Sequence, residues 1–186
     1  MNALFYSAAV VVAASVLASS PASAGTVAIG NSIARDCYEA AISRIADRNS
    51  FYHCNLALDQ EALDSRDRAA TLNNRGALYL RNRDYRSAGR DFDTALRFNA
   101  NNAEAWLNTA IVALQQGGAG ETLAMIDKSL ALNTTRQALA YYSRSIANER
   151  AGNVRAAYND LRRAVDLAPD WAAPRDDLKR YQVRRR

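Results

Sequence analysis

The side chains best equipped for chemistry in this 186-residue chain are the single histidine, His53, and two cysteines, Cys37 and Cys54. A metal centre built on these three would need a fourth ligand, and none is evident from the spacing. Catalysis by His53 would need a Ser or carboxylate held beside it, and no such arrangement flanks it. The acidic residues are scattered along the chain rather than gathered as a pair aimed at one point. No strand is evident to lead into a glycine-rich phosphate loop. The expectation is therefore a chain without catalysis, metal or cofactor.

What remains for the cysteines is a cross-link or burial. They stand seventeen positions apart, the separation of facing sites on two antiparallel helices joined by a short turn. A Cys37–Cys54 disulfide is expected, and two buried free thiols are the alternative. Closing a loop of this length would stabilise the fold by about 3 kcal/mol, acting through the unfolded state.

The compartment suits oxidation. Ala3 to Leu17 is an almost unbroken apolar run, Pro21 follows, and Ala22-Ser23-Ala24 is a small-x-small cleavage site, together the pattern of a secretory signal peptide. The run is shorter than the roughly 20 residues a spanning helix needs. Residues 1–24 are expected to be removed, leaving a mature domain of residues 25–186 in the periplasm or outside the cell.

Helices must position everything else. Gly76, Ala88 and Ala95 are small residues placed where two helices could cross, and Leu72, Tyr79, Phe92, Leu96 and Phe98 are the larger residues around that crossing. Asn82-Arg83-Asp84 marks the turn between them, with Asp84 as N-cap. The pattern spans residues 69–102 and returns over 103–136, with Trp106, Ala110, Ala113, Thr122, Ile126, Leu130 and Leu132. After one extra residue it returns again over 138–171, with Tyr141, Ser145, Ala157, Leu161, Ala164, Val165 and Leu167. Three glycines lie in the turn Gly117-Gly118-Ala119-Gly120, and the register from 117 to 137 stays open by about a residue, because Thr122 and Thr134 replace a small alanine and a proline.

A period of about 34 residues with small, aromatic and proline positions at this spacing resembles the tetratricopeptide repeat. The resemblance implies an all-α, α-α superhelical solenoid of three to four helix hairpins. A degenerate first unit fits residues 31–64, with Tyr38 at the small crossing position and extra residues around Leu63 to Asp67 before the next unit. A helix over residues 172–183, with Leu178 and Tyr181 turned inward, would cap the other end.

The resemblance also implies a function. Members of the family hold a partner's peptide or helix on the concave face lined by the first helix of each unit. Carried over position by position, that lining is Asn73, Ala77 and Leu80, then Leu107, Ile111 and Leu114, then Tyr142, Ile146 and Glu149, with Asn74 and Asn108 at its edge. It is mostly apolar, which suits an amphipathic helical ligand. No Lys lies in any first helix, and Arg75 and Arg144 should face the neighbouring helix or the rim, so gripping of a C-terminal carboxylate is not implied. An apolar stripe at helical spacing is as readily core or a homodimer contact as a binding groove.

Charge adds little. The 24 Lys plus Arg and 19 Asp plus Glu leave a net +5, spread over helical surfaces without the clustered face that phosphate binding requires, so nucleic acid is not an expected partner. The Arg184-Arg185-Arg186 run is expected to be a solvated tail, with contact to anionic lipid or polymer as the weaker alternative. The reading is an exported adaptor for a protein or peptide partner.

Overall fold

The structure, a computed structural model, describes residues 32–43, 46–118 and 120–181. The leader with its cleavage site, Asn31, Ala119, Val183 and the terminal arginines lie outside the described residues. Among these residues the chain forms helices and no strand: α1 (Ile33–Ile42), α2 (Arg48–Gln60), α3 (Ser65–Arg81), α4 (Tyr85–Phe98), α5 (Ala103–Gln115), α6 (Gly120–Ala131), α7 (Gln137–Arg150), α8 (Val154–Leu167) and α9 (Ala172–Leu178). Consecutive helices pair as hairpins, each hairpin packs on the next, and α9 packs on α8. The expected all-α solenoid is what forms.

Local signals start the helices. Ser32, Asp47, Asp64, Asp84 and Asn102 each accept a hydrogen bond from the backbone N–H three residues on, satisfying a donor that the first turn leaves orphaned. Turns end them through left-handed residues: Arg83 at φ 63°, Gly117 at 87°, Asn133 at 57° and Gly152 at 78°. Asn tolerates this region and glycine favours it, whereas Arg83 is held there although its Cβ is disfavoured.

Inside each hairpin one small residue meets one large residue. Gly76 faces Phe92 so closely that a Cβ at position 76 would lie 2.5 Å from Phe92 Cε1. The equivalent residues are Ala110 and Ile126 in α5–α6 and Ser145 and Leu161 in α7–α8, all buried. As the small partner gains atoms, the large one gives up bulk, so crossing volume is conserved among hairpins.

The first hairpin solves the same problem covalently. Cys37 and Cys54 form a disulfide with Cα atoms 4.5 Å apart, both fully buried, where Gly76 and Phe92 stand in the next hairpin. Tyr38 was expected at that crossing and is instead 42% exposed. Since adjacent helical positions differ in direction by about 100°, the cross-link at residue 37 turns residue 38 outward.

Three further expectations change. Ser65, Arg66 and Asp67 do not separate two units but extend α3 to 17 residues, with Asp64 capping the added turn. Leu132 lies just past the end of α6, and Gly120 opens that helix rather than belonging to its turn. The last helix ends at Leu178, not near residue 183, and the chain leaves it through a turn in which Tyr181 N donates to Leu178 O.

The crossing rule gives a direct test. Gly76→Ala should lower stability by about 1–3 kcal/mol through overpacking, and adding Phe92→Leu should recover most of that loss, since the double variant copies the small and large pairing of the later hairpins. Thermal melts of the two variants check it; a second substitution that only adds to the first loss would show that crossing volume is not what Gly76 supplies.

Candidate functional site

Successive hairpins are fastened by half-buried guanidinium groups. Arg75 on α3 donates through Nε and Nη2 to both oxygens of Asp91 on α4, at 2.8 and 2.9 Å, and through Nη1 to Asn55 on α2 at 2.8 Å. Exactly 69 residues would be two repeat periods plus one; Arg144 and Asp160 keep that offset from Arg75 and Asp91. Arg144 on α7 holds Asp160 on α8 at 3.0 and 2.7 Å and Asp127 on α6 at 2.7 Å. Each clamp thus ties a hairpin to itself and to its predecessor. Hydrogen bonding to the aspartate raises both guanidinium pKa values above their ordinary range, against the opposing effect of burial.

His53 belongs to the same system. Asp36 and His53 occupy in the first hairpin the places of Arg75 and Asp91, with the acidic residue now on the first helix and Nδ1 to Oδ2 at 4.0 Å. Its Nε2 lies 3.2 Å from Asn49 Nδ2 and its ring meets Tyr52 edge-on. These neighbours position the ring as a helix-packing group. Among the described residues no three His, Cys, Asp or Glu side chains converge as a metal ligand set, and no helix is long and apolar enough to cross a membrane.

The expected concave residues come together, but mostly as core. Leu107, Ile111 and Tyr142 are buried in one cluster against which half-buried Leu80 and Ile146 pack, and Leu114 is buried as well. Apolar side chains of neighbouring first helices thus pack on one another along this stripe. Asn108, placed by the sequence at the groove edge, is only 2% exposed: its Nδ2 donates to Asn73 Oδ1 at 2.9 Å, and its Oδ1 accepts from Arg136 Nη2 at 2.7 Å. Asn73, Asn74 and Ala77 are half-buried, and Glu149 is exposed.

The C-terminal segment takes the last of these positions. Tyr142 donates its hydroxyl to Asp177 Oδ2 at 2.9 Å and meets Trp171 edge-on, with centroids 4.9 Å apart. Burial, and then the Asp177 carboxylate, push the Tyr142 phenol well above its ordinary pKa. Arg180 pairs with Glu149 at 3.0 Å. Asp177, read from sequence as a solvated residue, is therefore a half-buried acceptor.

A polar knot holds the linker between α6 and α7. Glu104 Oε1 accepts from Thr134 Oγ1 and Thr135 N, both at 2.8 Å, and Oε2 accepts from Arg136 Nε at 2.6 Å. Burial would raise the Glu104 pKa, yet the Arg136 charge and these donors outweigh it and hold the carboxyl below its usual range. Thr134 thus takes the common proline position by hydrogen bonding.

Stacked helix hairpins with these crossings define a tetratricopeptide-repeat-like solenoid. Solved structures of that kind resemble the chain: the first TPR of Spaghetti (RPAP3) bound to the HSP90 peptide SRMEEVD shares 19% identity over 62% of this chain and 90% of its own, with a TM-score of 0.57. MamA from Desulfovibrio magneticus RS-1, residues 41 to the end, shares 20% over 81% of this chain and 84% of its own, with a TM-score of 0.63. At such identities the likeness is one of fold. No protein-family model and no curated protein matches the sequence.

Two outcomes follow. Glu104→Gln should cost about 1–3 kcal/mol at neutral pH. The carboxyl pKa is lowered by folding, so its contribution is present above the unfolded value and is lost as pH falls through the folded one. Denaturant titrations of both proteins should converge on acidification; a constant gap would refute the linkage. Ile111→Asp should unfold the domain or cost more than about 3 kcal/mol, because it buries an unpaired charge. A variant of unchanged stability would place Ile111 on an open surface after all.

Proposed function

We propose that the chain is an exported, non-catalytic interaction module presenting a preformed stack of helix hairpins to a protein or peptide partner. The observation that carries the reading is the fold itself, a rigid scaffold whose buried polar groups are spent on fastening one hairpin to the next. One protein of the same fold, the RPAP3 repeat domain, is bound to a peptide. A scaffold already ordered by clamps and a cross-link gives up little conformational entropy when it binds.

Export is supported by two independent features, the apolar leader before Ala24 and a disulfide, which forms and persists in oxidising compartments. A second reading, self-association at the N-terminal edge, is favoured by exposed Tyr38 and Ile42, one turn apart on α1.

Expression of the full chain in a bacterial host, with cell fractionation and N-terminal sequencing, should give a periplasmic or secreted product beginning at Gly25. A cytoplasmic product retaining the leader would overturn export. Light scattering alongside a pull-down from envelope extract, followed by titration of the captured protein, should give a monomer with a saturable partner. A stable dimer that captures nothing would replace the adaptor reading with the self-associating one.

A further inference from the structure

The two arginine clamps allow the seams they fasten to be superimposed in sequence, and the seams differ at one place. Around Arg75 the space between α2, α3 and α4 holds an aromatic pair, Phe51 and Tyr79, with ring centroids 4.7 Å apart. Around Arg144 the equivalent residues are Leu123 and Asn148. Neither ring is present, and the space is a depression of about 350 Å³ between α6, α7 and α8, lined by Leu123, Asp127, Arg144, Asn148, Ala156 and Asn159, with Asp160 below.

The depression has apolar walls and a polar floor. Leu123 and Ala156 form the apolar part. Asn148 is fixed in place, since its Nδ2 donates to Asp160 Oδ2 at 3.0 Å and its Oδ1 accepts from Asn153 Nδ2 at 3.3 Å. Asp127 gives one oxygen to Arg144 and is otherwise exposed at the rim. The two carboxylates against one guanidinium leave a local net charge of about −1, which favours a hydrogen-bond donor over an anion. Past Ala156 and Asn159 the depression continues into a second, shallower one of about 640 Å³ that includes exposed Val154, room for residues flanking an inserted side chain.

We propose that this depression is a receptor for a tyrosine side chain of an extended partner segment, whose ring would take the place that Tyr79 fills in the other seam and whose hydroxyl would donate to Asp127. The planar Arg144 guanidinium, already 5.1 Å from the Tyr141 ring centroid, offers a surface of the kind on which rings stack. Recognition would then occur on the side of the second helices, leaving the mostly buried concave stripe as core. This assignment rests on the interaction-module reading and names its site.

The test uses N-acetyl-L-tyrosinamide as probe, titrated into the purified protein and followed by amide NMR. Saturable shifts should centre on Leu123, Asn148, Ala156 and Asn159, and exceed those from N-acetyl-L-leucinamide or N-acetyl-L-argininamide. Asn148→Tyr, which supplies the missing ring from within, should weaken probe binding at least about tenfold in protein that stays folded by its helical circular dichroism. Ala156→Leu, which narrows the wall, should do the same and serves if Asn148→Tyr does not fold. Absence of saturable shifts, stronger binding of the arginine probe, or equal binding by wild type and a folded variant would overturn the site. A protein partner captured equally by wild type and Asn148→Tyr would overturn the site and leave the module; tyrosinamide bound here with no protein partner found would do the reverse.

Discussion

The interaction on which the rest of the solenoid depends is the bidentate arginine clamp. A hairpin of two short amphipathic helices cannot bury its apolar face alone and becomes stable by stacking, but apolar packing tolerates sliding. A guanidinium with five donors in a rigid fork does not. Arg75 and Arg144 each spend that fork on one aspartate of their own hairpin and one acceptor of the hairpin before. Removing either aspartate would leave a half-buried guanidinium holding only the acceptor of the preceding hairpin, Asn55 or Asp127. Register between hairpins is thereby fixed to the residue.

Arginines at the ends of first helices extend this logic. Arg81 donates to the carbonyls of Ala41 and Ser43 at the C-terminus of α1, and Arg150 donates to Leu114 O at the C-terminus of α5. Both supply donors to carbonyls of a helix's last turn, and both place positive charge at the negative end of a dipole. Glu61 does the converse at the start of α1, accepting from Ala34 N at 2.8 Å. The first hairpin, with a neighbour on one side only, thus gains a disulfide and polar ties at both ends of α1.

Much of this was legible in the sequence because volume leaves a trace at fixed spacing. Gly76, Ala88 and Ala95 identify a crossing without any knowledge of partners, and an even pair of cysteines at hairpin separation identifies the cross-link. In the degenerate unit the repeat spacing points to Tyr38 while the structure crosses at Cys37, because the added turn of α3 lengthens the first period by a residue and no small side chain marks the place. The concave stripe could not be assigned because burial depends on how closely first helices approach, and that distance is set jointly by residues from several units. The clamps could have been found: of the Arg and Asp pairs sixteen residues apart, the one at 75 and 91 returns at 144 and 160, in register with the repeat.

The third hairpin departs from the pattern. Thr109 and Met125 stand where an arginine and its aspartate stand in the hairpins on either side, and Asp93, facing that place from α4, is exposed. Among the described residues no ion pair joins α3–α4 to α5–α6. That seam is held by Val112 packing on Ala88 and Phe92, by Ala105 packing on Leu72 and Ala95, and by the Asn108 to Asn73 hydrogen bond. The seams on either side are each crossed by one arginine contact, Arg75 to Asn55 and Arg144 to Asp127, whereas this one relies on apolar contacts and a neutral hydrogen bond. The solenoid thus fastens successive hairpins by different means, polar at the first and last seams and mainly apolar at the middle one. The open Asn148 depression lies against the C-terminal clamp, whose Arg144, Asp127 and Asp160 contacts set the spacing of its walls.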